Sequence, residues 1–178
     1  MSTKIKDLDQ LVIETPRLHI EAATMDFAED IFKSFQPPVT DLMRPKPAKN
    51  LVFVKNYISE CLSEMKAGRR LFVVVLTKED RSFLGCFGLD ELDTRHPRIG
   101  GWLKEEAHGQ GYGTEAAKAI DDWCLENIDY EYIIWPSAVE NVPSAKIAES
   151  LGAKVEREYV MQTEEGDNFD AVEYWLWK

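Results

Sequence analysis

Apolar residues recur along the chain with two different periods, and each period predicts one type of element. Over residues 24–35 and 51–67 they return about every 3.6 positions, as on one face of an α-helix. Over 71–103 they form nearly continuous runs separated by short polar turns, which is typical of buried strands. Helical spacing returns over 112–127 and 141–151. The predicted order is therefore strand, two helices, three strands, helix, strand, helix and a final pair of strands.

Capping residues and a proline predict where these elements end. Thr24 and Asn141 are residue types that cap helix N-termini through their side chains. Gly68 follows the last apolar position of the second helix and is expected to end it. Pro136 is expected to close the strand over 132–135, because proline has no N–H to donate to a neighbouring strand.

Two adjacent glycines, Gly100 and Gly101, interrupt the strand over 99–103 and predict either a β-bulge or a place where another backbone or a ligand comes close. A polar turn at 164–168 is expected to join the last two strands. Together these elements predict one α+β or α/β domain with a mixed central sheet, spanning residues 1–178.

Composition narrows the classes of function. The net charge is −11 and no Lys/Arg cluster is present, so nucleic acid is not an expected partner. No apolar run approaches the roughly 20 residues that a membrane helix needs, and the N-terminus does not resemble a signal peptide. A cytoplasmic protein without a membrane partner is expected. Cys61, Cys86 and Cys124 match neither a disulfide framework nor a metal site, so no metal is expected.

The segment 108–115, His-Gly-Gln-Gly-Tyr-Gly-Thr-Glu, stands directly before a predicted helix. Alternating glycines leave the main chain uncovered, so an anion can approach its N–H groups. Those groups would lie at the positive end of the helix dipole. The segment therefore predicts a phosphate site built from backbone, with a flexible loop and helix cap as the alternative.

Two common nucleotide-binding patterns do not fit this segment. A dinucleotide fingerprint places glycines at positions one, three and six and a carboxylate after the next strand. Here the glycines stand at positions one, three and five, and the next strand ends in Trp135-Pro136. A triphosphate-binding loop requires Gly-Lys-Ser/Thr, and the lysine is missing. A pyrophosphate held by main chain alone remains.

Three separated motifs resemble those of the GNAT superfamily of N-acetyltransferases, and of its RimJ/RimL-like branch in particular. Residues 108–113 resemble the family's acetyl-CoA loop, Gln/Arg-x-x-Gly-x-Gly/Ala. The run Glu-Thr-Pro-Arg-Leu at 14–18 resembles the first strand of that branch. The run Asn-Val-Pro-Ser at 141–144, with Leu-Gly-Ala at 151–153, resembles its Asn-x-x-Ser helix. His108 departs from the family, which usually has Arg or Gln at this position.

The resemblance implies the GNAT fold, an α+β, α/β/α sandwich-like domain with about seven strands and about four helices. It implies a mostly antiparallel sheet that splays between the two strands flanking the helix after the loop. The strand before the loop would pair with the pantetheine arm of acetyl-CoA, and the loop would hold the pyrophosphate. The implied cofactor-binding residues are Trp102, Leu103, Lys104, His108, Gly109, Gln110, Gly111, Tyr112, Gly113, Thr114 and Asn141.

The implied reaction is direct attack of a primary amine on the acetyl thioester in a ternary complex, with no metal. By analogy with the family, Ser144 would protonate or hydrogen-bond the departing thiolate. Glu91, which follows a central strand, is the expected base that deprotonates the amine. The acceptor is a protein N-terminal α-amine or a small-molecule amine, and the enzyme is expected to be a monomer or a homodimer. A non-catalytic acyl-CoA-binding or sensing domain is the alternative.

Aromatic residues and one long loop are the candidates for the acceptor pocket. The loop over 36–50 holds four prolines and would border the acceptor in this family. It carries Asp41 and Arg44, to which no role is assigned. The aromatic candidates for the pocket walls are Phe35, Trp102, Trp135 and Trp175.

Replacing Gly111 or Gly113 with Val tests the loop. Each variant is expected to abolish CoA binding and to leave the fold mostly intact, because a branched side chain obstructs the approach of phosphate to the N–H groups. Calorimetric titration with CoA measures the affinity, and circular dichroism measures the fold. Unchanged affinity in both variants would exclude the loop as the pyrophosphate site.

Overall fold

The computed structural model describes residues 7–43, 46–162 and 168–178. Arg44 and most of the predicted turn at 164–168 therefore lie outside the described residues. The strands are β1 (Val12–Glu14), β2 (Leu18–Ala22), β3 (Leu71–Thr77), β4 (Phe83–Asp90), β5 (Arg98–Leu103), β6 (Tyr132–Ala138), β7 (Lys154–Gln162) and β8 (Asn168–Trp177). The helices are α1 (Ala28–Ser34), α2 (Leu51–Ala67), α3 (Tyr112–Asn127) and α4 (Val142–Ser150). Within these ranges, no helix has both the length and the apolar character to cross a membrane.

All eight strands belong to one mixed sheet in the order β1-β2-β3-β4-β5-β6-β8-β7. Every neighbouring pair is antiparallel except β5 and β6, which are parallel. The predicted α+β class and mixed, mostly antiparallel sheet are confirmed. The predicted strand count is one short, because β1 has three residues and is too brief to show a periodic pattern.

Helices cover the sheet on both faces. Trp102 and Leu103 are consecutive in β5, so their side chains point to opposite faces. The Trp102 ring packs on Phe35 at the end of α1, with ring centroids 5.0 Å apart. Leu103 faces α3, since a Cβ built on Gly113 would lie 3.7 Å from its Cδ1. α1 packs on α2 and α3 packs on α4, which gives three layers.

Two predicted helix ends, the cap at Asn141 and the stop at Gly68, are confirmed, one is not, and Asn50 forms a cap that was not predicted. Asn50 and Asn141 cap α2 and α4, each accepting a hydrogen bond from a first-turn N–H. Gly68 ends α2 at φ +74°, the left-handed conformation that glycine adopts without strain. The prediction for Thr24 is wrong, because its side chain forms no cap hydrogen bond and a 3-10 turn over Met25–Phe27 precedes α1.

The predicted bulge at Gly100 and Gly101 is also wrong. The pairing of β4 with β5 is continuous through both residues, which face Gly88 and Phe87. A Cβ on Gly101 would lie 2.4 Å from the ring of Phe87, so the glycine makes room for that ring. Register shifts lie instead between Val75 and Leu76 in β3 and between Val155 and Arg157 in β7.

Strand β6 continues through Pro136 to Ala138, so the prediction that Pro136 ends it is wrong as well. The N–H of Ile134 bonds the carbonyl of Pro97, next to β5. Backbone groups alternate sides along a strand, so residue 136 faces the same side as residue 134. β5 and β6 have separated at this point, and the missing N–H of Pro136 therefore costs no hydrogen bond within the sheet.

Two glycine substitutions test the close approach of β4 and β5. A Cβ on Gly85 would lie 2.1 Å from the carbonyl oxygen of Trp102, whereas one on Gly100 meets nothing within 4 Å. Gly85→Ala is expected to lower the free energy of unfolding by about 2–3 kcal/mol, since the two strands must move apart. Gly100→Ala should change it by less than about 0.5 kcal/mol. Urea denaturation of both variants measures the difference, and equal effects would contradict the packing described for Gly85.

Candidate functional site

Strands β5 and β6 touch at one point and then separate. Arg98 and Ile134 are the one residue pair between them in the described chain. The N–H of Lys104 bonds the carbonyl of Leu84 in β4, so the backbone groups of Leu103 and Gly101 point the other way, toward β6. The sheet thus splays between the two strands that flank α3, as the resemblance implied, and β5 presents an open backbone edge.

A cavity of about 610 Å³ occupies the splay. It is lined by both faces of β5, by Trp135 of β6, by the loop before α3 and by the first turns of α4. Residues of the loop between α1 and α2 line it as well, and they belong to the opposite helical layer. Because both layers contribute to one lining, the cavity passes through the sheet. The lining members from that α1–α2 loop are Pro38, Val39, Leu42 and Met43.

The glycine loop leaves the start of α3 without a side-chain cap. Gly109 and Gly111 have φ values of +72° and +79°, which β-branched residues rarely adopt. Gly111 is the N-cap and has no side chain to accept from the first turn. The first-turn N–H groups of Tyr112, Gly113 and Thr114 have no partner within the helix, and all three residues line the cavity. An anion there would accept hydrogen bonds from the first turn of α3, as the side chains of Asn50 and Asn141 do at α2 and α4.

His108 closes the loop onto β5. Its Nε2 lies 2.7 Å from the carbonyl oxygen of Leu103. A carbonyl only accepts hydrogen bonds, so Nε2 carries the proton and donates it. The histidine is therefore tied to the edge of β5 that faces the gap.

Ser144 lies at the first turn of α4 and lines the cavity. The indole Nε1 of Trp135 donates a hydrogen bond to its Oγ over 2.9 Å. An indole N–H can only donate, so the serine oxygen is the acceptor and its own O–H remains to be donated elsewhere. Asn141 fixes the backbone of Ser144 by accepting from its N–H over 3.2 Å.

Three predicted site residues do not line the cavity. Lys104 contributes its N–H to β4 instead. The side chain of Gln110 donates to the carbonyl of Glu106 over 2.8 Å. Glu91 is exposed in the turn after β4, at φ +60°, so the expectation that it acts as a base has no geometric support.

Two of the four aromatic candidates line the cavity, Trp102 and Trp135. Phe35 packs on Trp102 from behind. Trp175 lies elsewhere, stacked on Tyr132 with centroids 4.0 Å apart. Asp41 is exposed in the α1–α2 loop and is not part of the lining.

Sequence reasoning assigned no role to several residues that the structure brings to the site. Phe87, Lys146 and Ile147 line the cavity. Arg17 bonds the glycine loop from outside, with Nη1 2.9 Å from the carbonyl oxygen of Gln110. The signal for Arg17 was present in the motif at 14–18, but nothing local to that motif indicates which distant segment it contacts.

The residues present fit acetyl-CoA. The loop offers first-turn N–H groups to a pyrophosphate, and the β5 edge offers backbone groups to an amide-bearing arm. The cavity continues from there to Ser144 and Trp135. Among the residues that the structure describes, no group of three or more His, Cys, Asp or Glu is placed to hold a metal ion.

Comparison with known proteins agrees with this geometry. The family model for the acetyltransferase (GNAT) domain matches residues 17–154. The chain therefore belongs to the GNAT acetyltransferase family, and N-acetyltransferase is its class of enzyme. No curated protein sequence matches the chain.

Solved structures of similar fold include other acetyltransferases. RimL, a ribosomal L7/L12 α-N-protein acetyltransferase solved with coenzyme A, superposes with a TM-score of 0.82 at 16% identity, over 94% of this chain and 98% of its own. A GNAT acetyltransferase from Bacillus anthracis gives 0.81 at 17% identity, over 94% and 98% of the two chains. A GCN5-related N-acetyltransferase from Brucella melitensis superposes with a TM-score of 0.80 at 17% identity, over 99% of this chain and 81% of its own. At these identities the likeness shows the fold.

A double-mutant cycle tests the contact between Trp135 and Ser144. Trp135 is 6% exposed, so Ser144→Ala leaves a buried indole N–H without its partner. We expect the substitution to lower the free energy of unfolding by about 1–3 kcal/mol. In a Trp135→Phe background the same substitution should cost about 1 kcal/mol less, since no donor is left unpaired. Equal costs in both backgrounds, measured by urea denaturation, would show that the hydrogen bond contributes nothing.

Proposed function

We propose that the protein transfers the acetyl group of acetyl-CoA to a primary amine by direct attack in a ternary complex. The observation that carries this proposal is the cavity through the splayed sheet. The loop amides and α4 line it from one helical layer, and the apolar α1–α2 loop lines it from the other. Two substrates entering from opposite layers would meet between β5 and β6, where positioning alone supplies much of the rate acceleration.

Acetyl-CoA, when bound, supplies a thioester whose carbonyl carbon an amine can attack. The N–H groups of Tyr112, Gly113 and Thr114 would hold its pyrophosphate, and the open edge of Gly101 and Leu103 would orient its pantetheine arm. Lys104 and Gln110, which the resemblance included in this set, do not line the cavity, and the backbone groups of Lys104 are already bonded to Leu84 and Ala107.

Ser144 is the proposed proton donor to the departing thiolate, and it regains a proton from the attacking nitrogen, which loses one as the amide forms. Its oxygen already accepts from Trp135, which directs the O–H away from the indole. Asn141 holds the backbone of Ser144 in place. The donor is therefore oriented before substrates bind.

The lining favours an acceptor that arrives as a neutral amine. The α1–α2 loop contributes Pro38, Val39, Leu42 and Met43, and among the described residues Lys146 brings a cation to the lining and none brings a carboxylate. Apolar surroundings and a nearby cation both disfavour a protonated amine. A protein α-amine, with a pKa of about 7.7–8.0, is neutral far more often at pH 7 than an alkylamine near 10.4. We therefore propose a protein N-terminal α-amine over a polyamine or aminoglycoside-like acceptor.

The likeness to RimL supports the same choice, because that protein is described as an α-N-protein acetyltransferase. The three motifs shared with the RimJ/RimL-like branch also support it. The buried free thiols of Cys61, Cys86 and Cys124 are compatible with the proposed cytoplasmic location. A monomer or homodimer stays a prediction.

Matched peptides test the acceptor. One peptide carries a free N-terminus and no lysine, and its control has a blocked N-terminus and one lysine. We expect acetylation of the first, detected by mass spectrometry, with a rate that rises as pH passes through about 7.7–8.0 and the α-amine deprotonates. Acetylation of the control alone, or of polyamines alone, would overturn the α-amine proposal. CoA binding without transfer to any amine would identify a non-catalytic acyl-CoA-binding domain.

Ser144→Ala tests the proton donor in the same assay. We expect kcat to fall on the order of 10²-fold, with the Kd for CoA changed less than about threefold. Trp135→Phe, which keeps the hydroxyl, serves as the control for altered packing at the same contact. An unchanged kcat in Ser144→Ala would remove this residue from the mechanism.

A further inference from the structure

Arg17 ties the first motif of the chain to the glycine loop. Its Nε donates to Oε2 of Glu115 over 2.7 Å, and its Nη1 donates to the carbonyl oxygen of Gln110 over 2.9 Å. Its backbone N–H donates to Oε1 of Glu115 over 3.1 Å. Its guanidinium also lies 4.6 Å from the ring centroid of Tyr112. One side chain, about one hundred positions away in sequence, thus contacts the loop on both sides of Gly111.

Thr15 completes the network. Its hydroxyl donates to Oε1 of Glu115 over 2.6 Å, so both carboxylate oxygens of Glu115 are bonded to the segment at residues 15–17. Partial burial on its own raises the pKa of Glu115. The hydrogen bonds from Thr15 and Arg17 lower it by more than burial raises it, so the net pKa is below the ordinary value. Glu115 is therefore held as a carboxylate in the first turn of α3.

That carboxylate has two opposite effects. A negative charge in the first turn stabilises a helix through its dipole. The same charge repels a phosphate that binds to the first-turn N–H groups. Arg17 pairs with it directly, so the neutral pair keeps the helix start compatible with an anionic ligand.

We propose that Arg17 is a positioning residue for the pyrophosphate of acetyl-CoA, acting together with Glu115 as a latch on the glycine loop. This inference rests on the proposed function. Arg17 holds the carbonyl of Gln110 while Gly111 adopts its left-handed conformation, so the N–H groups of the loop already point to the cavity before the ligand arrives. It also offsets the charge of Glu115 beside them. Pre-ordering of a loop raises affinity because less conformational entropy is lost on binding.

Arg17→Ala tests the latch, with Arg69→Ala as the matched control. Arg69 forms two 2.7 Å hydrogen bonds to Glu64 and is 48% exposed, the same fraction as Arg17, but Glu64 and Arg69 are not among the residues lining the cavity. We expect Arg17→Ala to raise the Kd for CoA and the KM for acetyl-CoA about tenfold, with kcat at saturation unchanged. Arg69→Ala should leave all three values unchanged. Calorimetry and steady-state kinetics measure them.

A truncated substrate shows where the effect arises. S-acetyl-pantetheine has the thioester and the pantetheine arm but no pyrophosphate. Its kcat/KM is expected to be the same in Arg17→Ala and in the wild type. An equal loss with acetyl-CoA and S-acetyl-pantetheine would overturn the proposal, because it would indicate general damage to the site. An unchanged Kd for CoA in Arg17→Ala would overturn it as well.

Two further variants separate charge from geometry. Glu115→Gln in the Arg17→Ala background removes the unpaired carboxylate and is expected to recover part of the lost CoA affinity. Arg17→Lys keeps the charge but lacks the planar fork whose separate Nε and Nη1 reach Glu115 and Gln110, so it should recover less than the full affinity. Full recovery in Arg17→Lys would overturn the positioning role and leave only a charge effect.

Hydrogen exchange of the ligand-free protein distinguishes failure of the latch from failure of the proposed function. We expect the amides of 109–114 to exchange faster in Arg17→Ala than in Arg69→Ala, whether or not CoA binds. A wild-type protein that does not bind CoA overturns the proposed function, and the proposed role of the latch with it. If the wild type binds CoA but the amides of 109–114 exchange equally fast in both variants, the proposed role of Arg17 is overturned and the proposed function is not.

Discussion

The parting of β5 and β6 is the constraint on which the rest of the structure depends. Two parallel strands that meet only at Arg98 and Ile134 leave the backbone groups of Gly101 and the N–H of Leu103 facing the gap, while the Leu103 carbonyl accepts from His108. Exposed backbone edges inside a sheet are costly unless something pairs with them. Helical layers on both faces keep the gap open without collapsing the sheet, and Pro136 removes one N–H that would otherwise face it. The open edge has the geometry that pairs with an extended ligand.

The start of α3, like the gap between β5 and β6, presents backbone N–H groups that the protein itself does not cap. The chain caps α2 and α4 with asparagine side chains, but it begins α3 with Gly111, which provides no side-chain cap for the first-turn N–H groups. An uncapped, glycine-rich helix start is flexible on its own. The contacts of Arg17 with Gln110 and Glu115 hold this one from outside the cavity. The glycine loop can therefore lack capping side chains where it lines the cavity and still be held in place by Arg17.

Local sequence signals predicted most of the elements and failed where a distant strand changed the outcome. The bounds of α3 at 112–127 and the end of α2 at Gly68 were predicted correctly, because capping and apolar period act within one or two helical turns. Pro136 was expected to end β6 because it has no N–H to donate to a neighbouring strand. No strand is paired with β6 on that side at Pro136, so the missing N–H does not end the strand. Gly100 and Gly101 were expected to form a bulge, but Gly101 instead makes room for the ring of Phe87. Glu91 is exposed after β4 and is not among the residues that line the cavity, so its role as a base stays a prediction.

The sequence by itself determined the order of the elements, the glycine loop before α3 and, through three motifs, the family and the expected cosubstrate. These features depend on residues near one another in the chain or on motifs that can be recognised one at a time. Tertiary structure alone decided that the cavity crosses the sheet, that the indole of Trp135 orients Ser144, and that Arg17 holds a loop about one hundred positions away. Each of these depends on which distant segments pack side by side, and that is set by the sheet order and the packing of helices on its two faces.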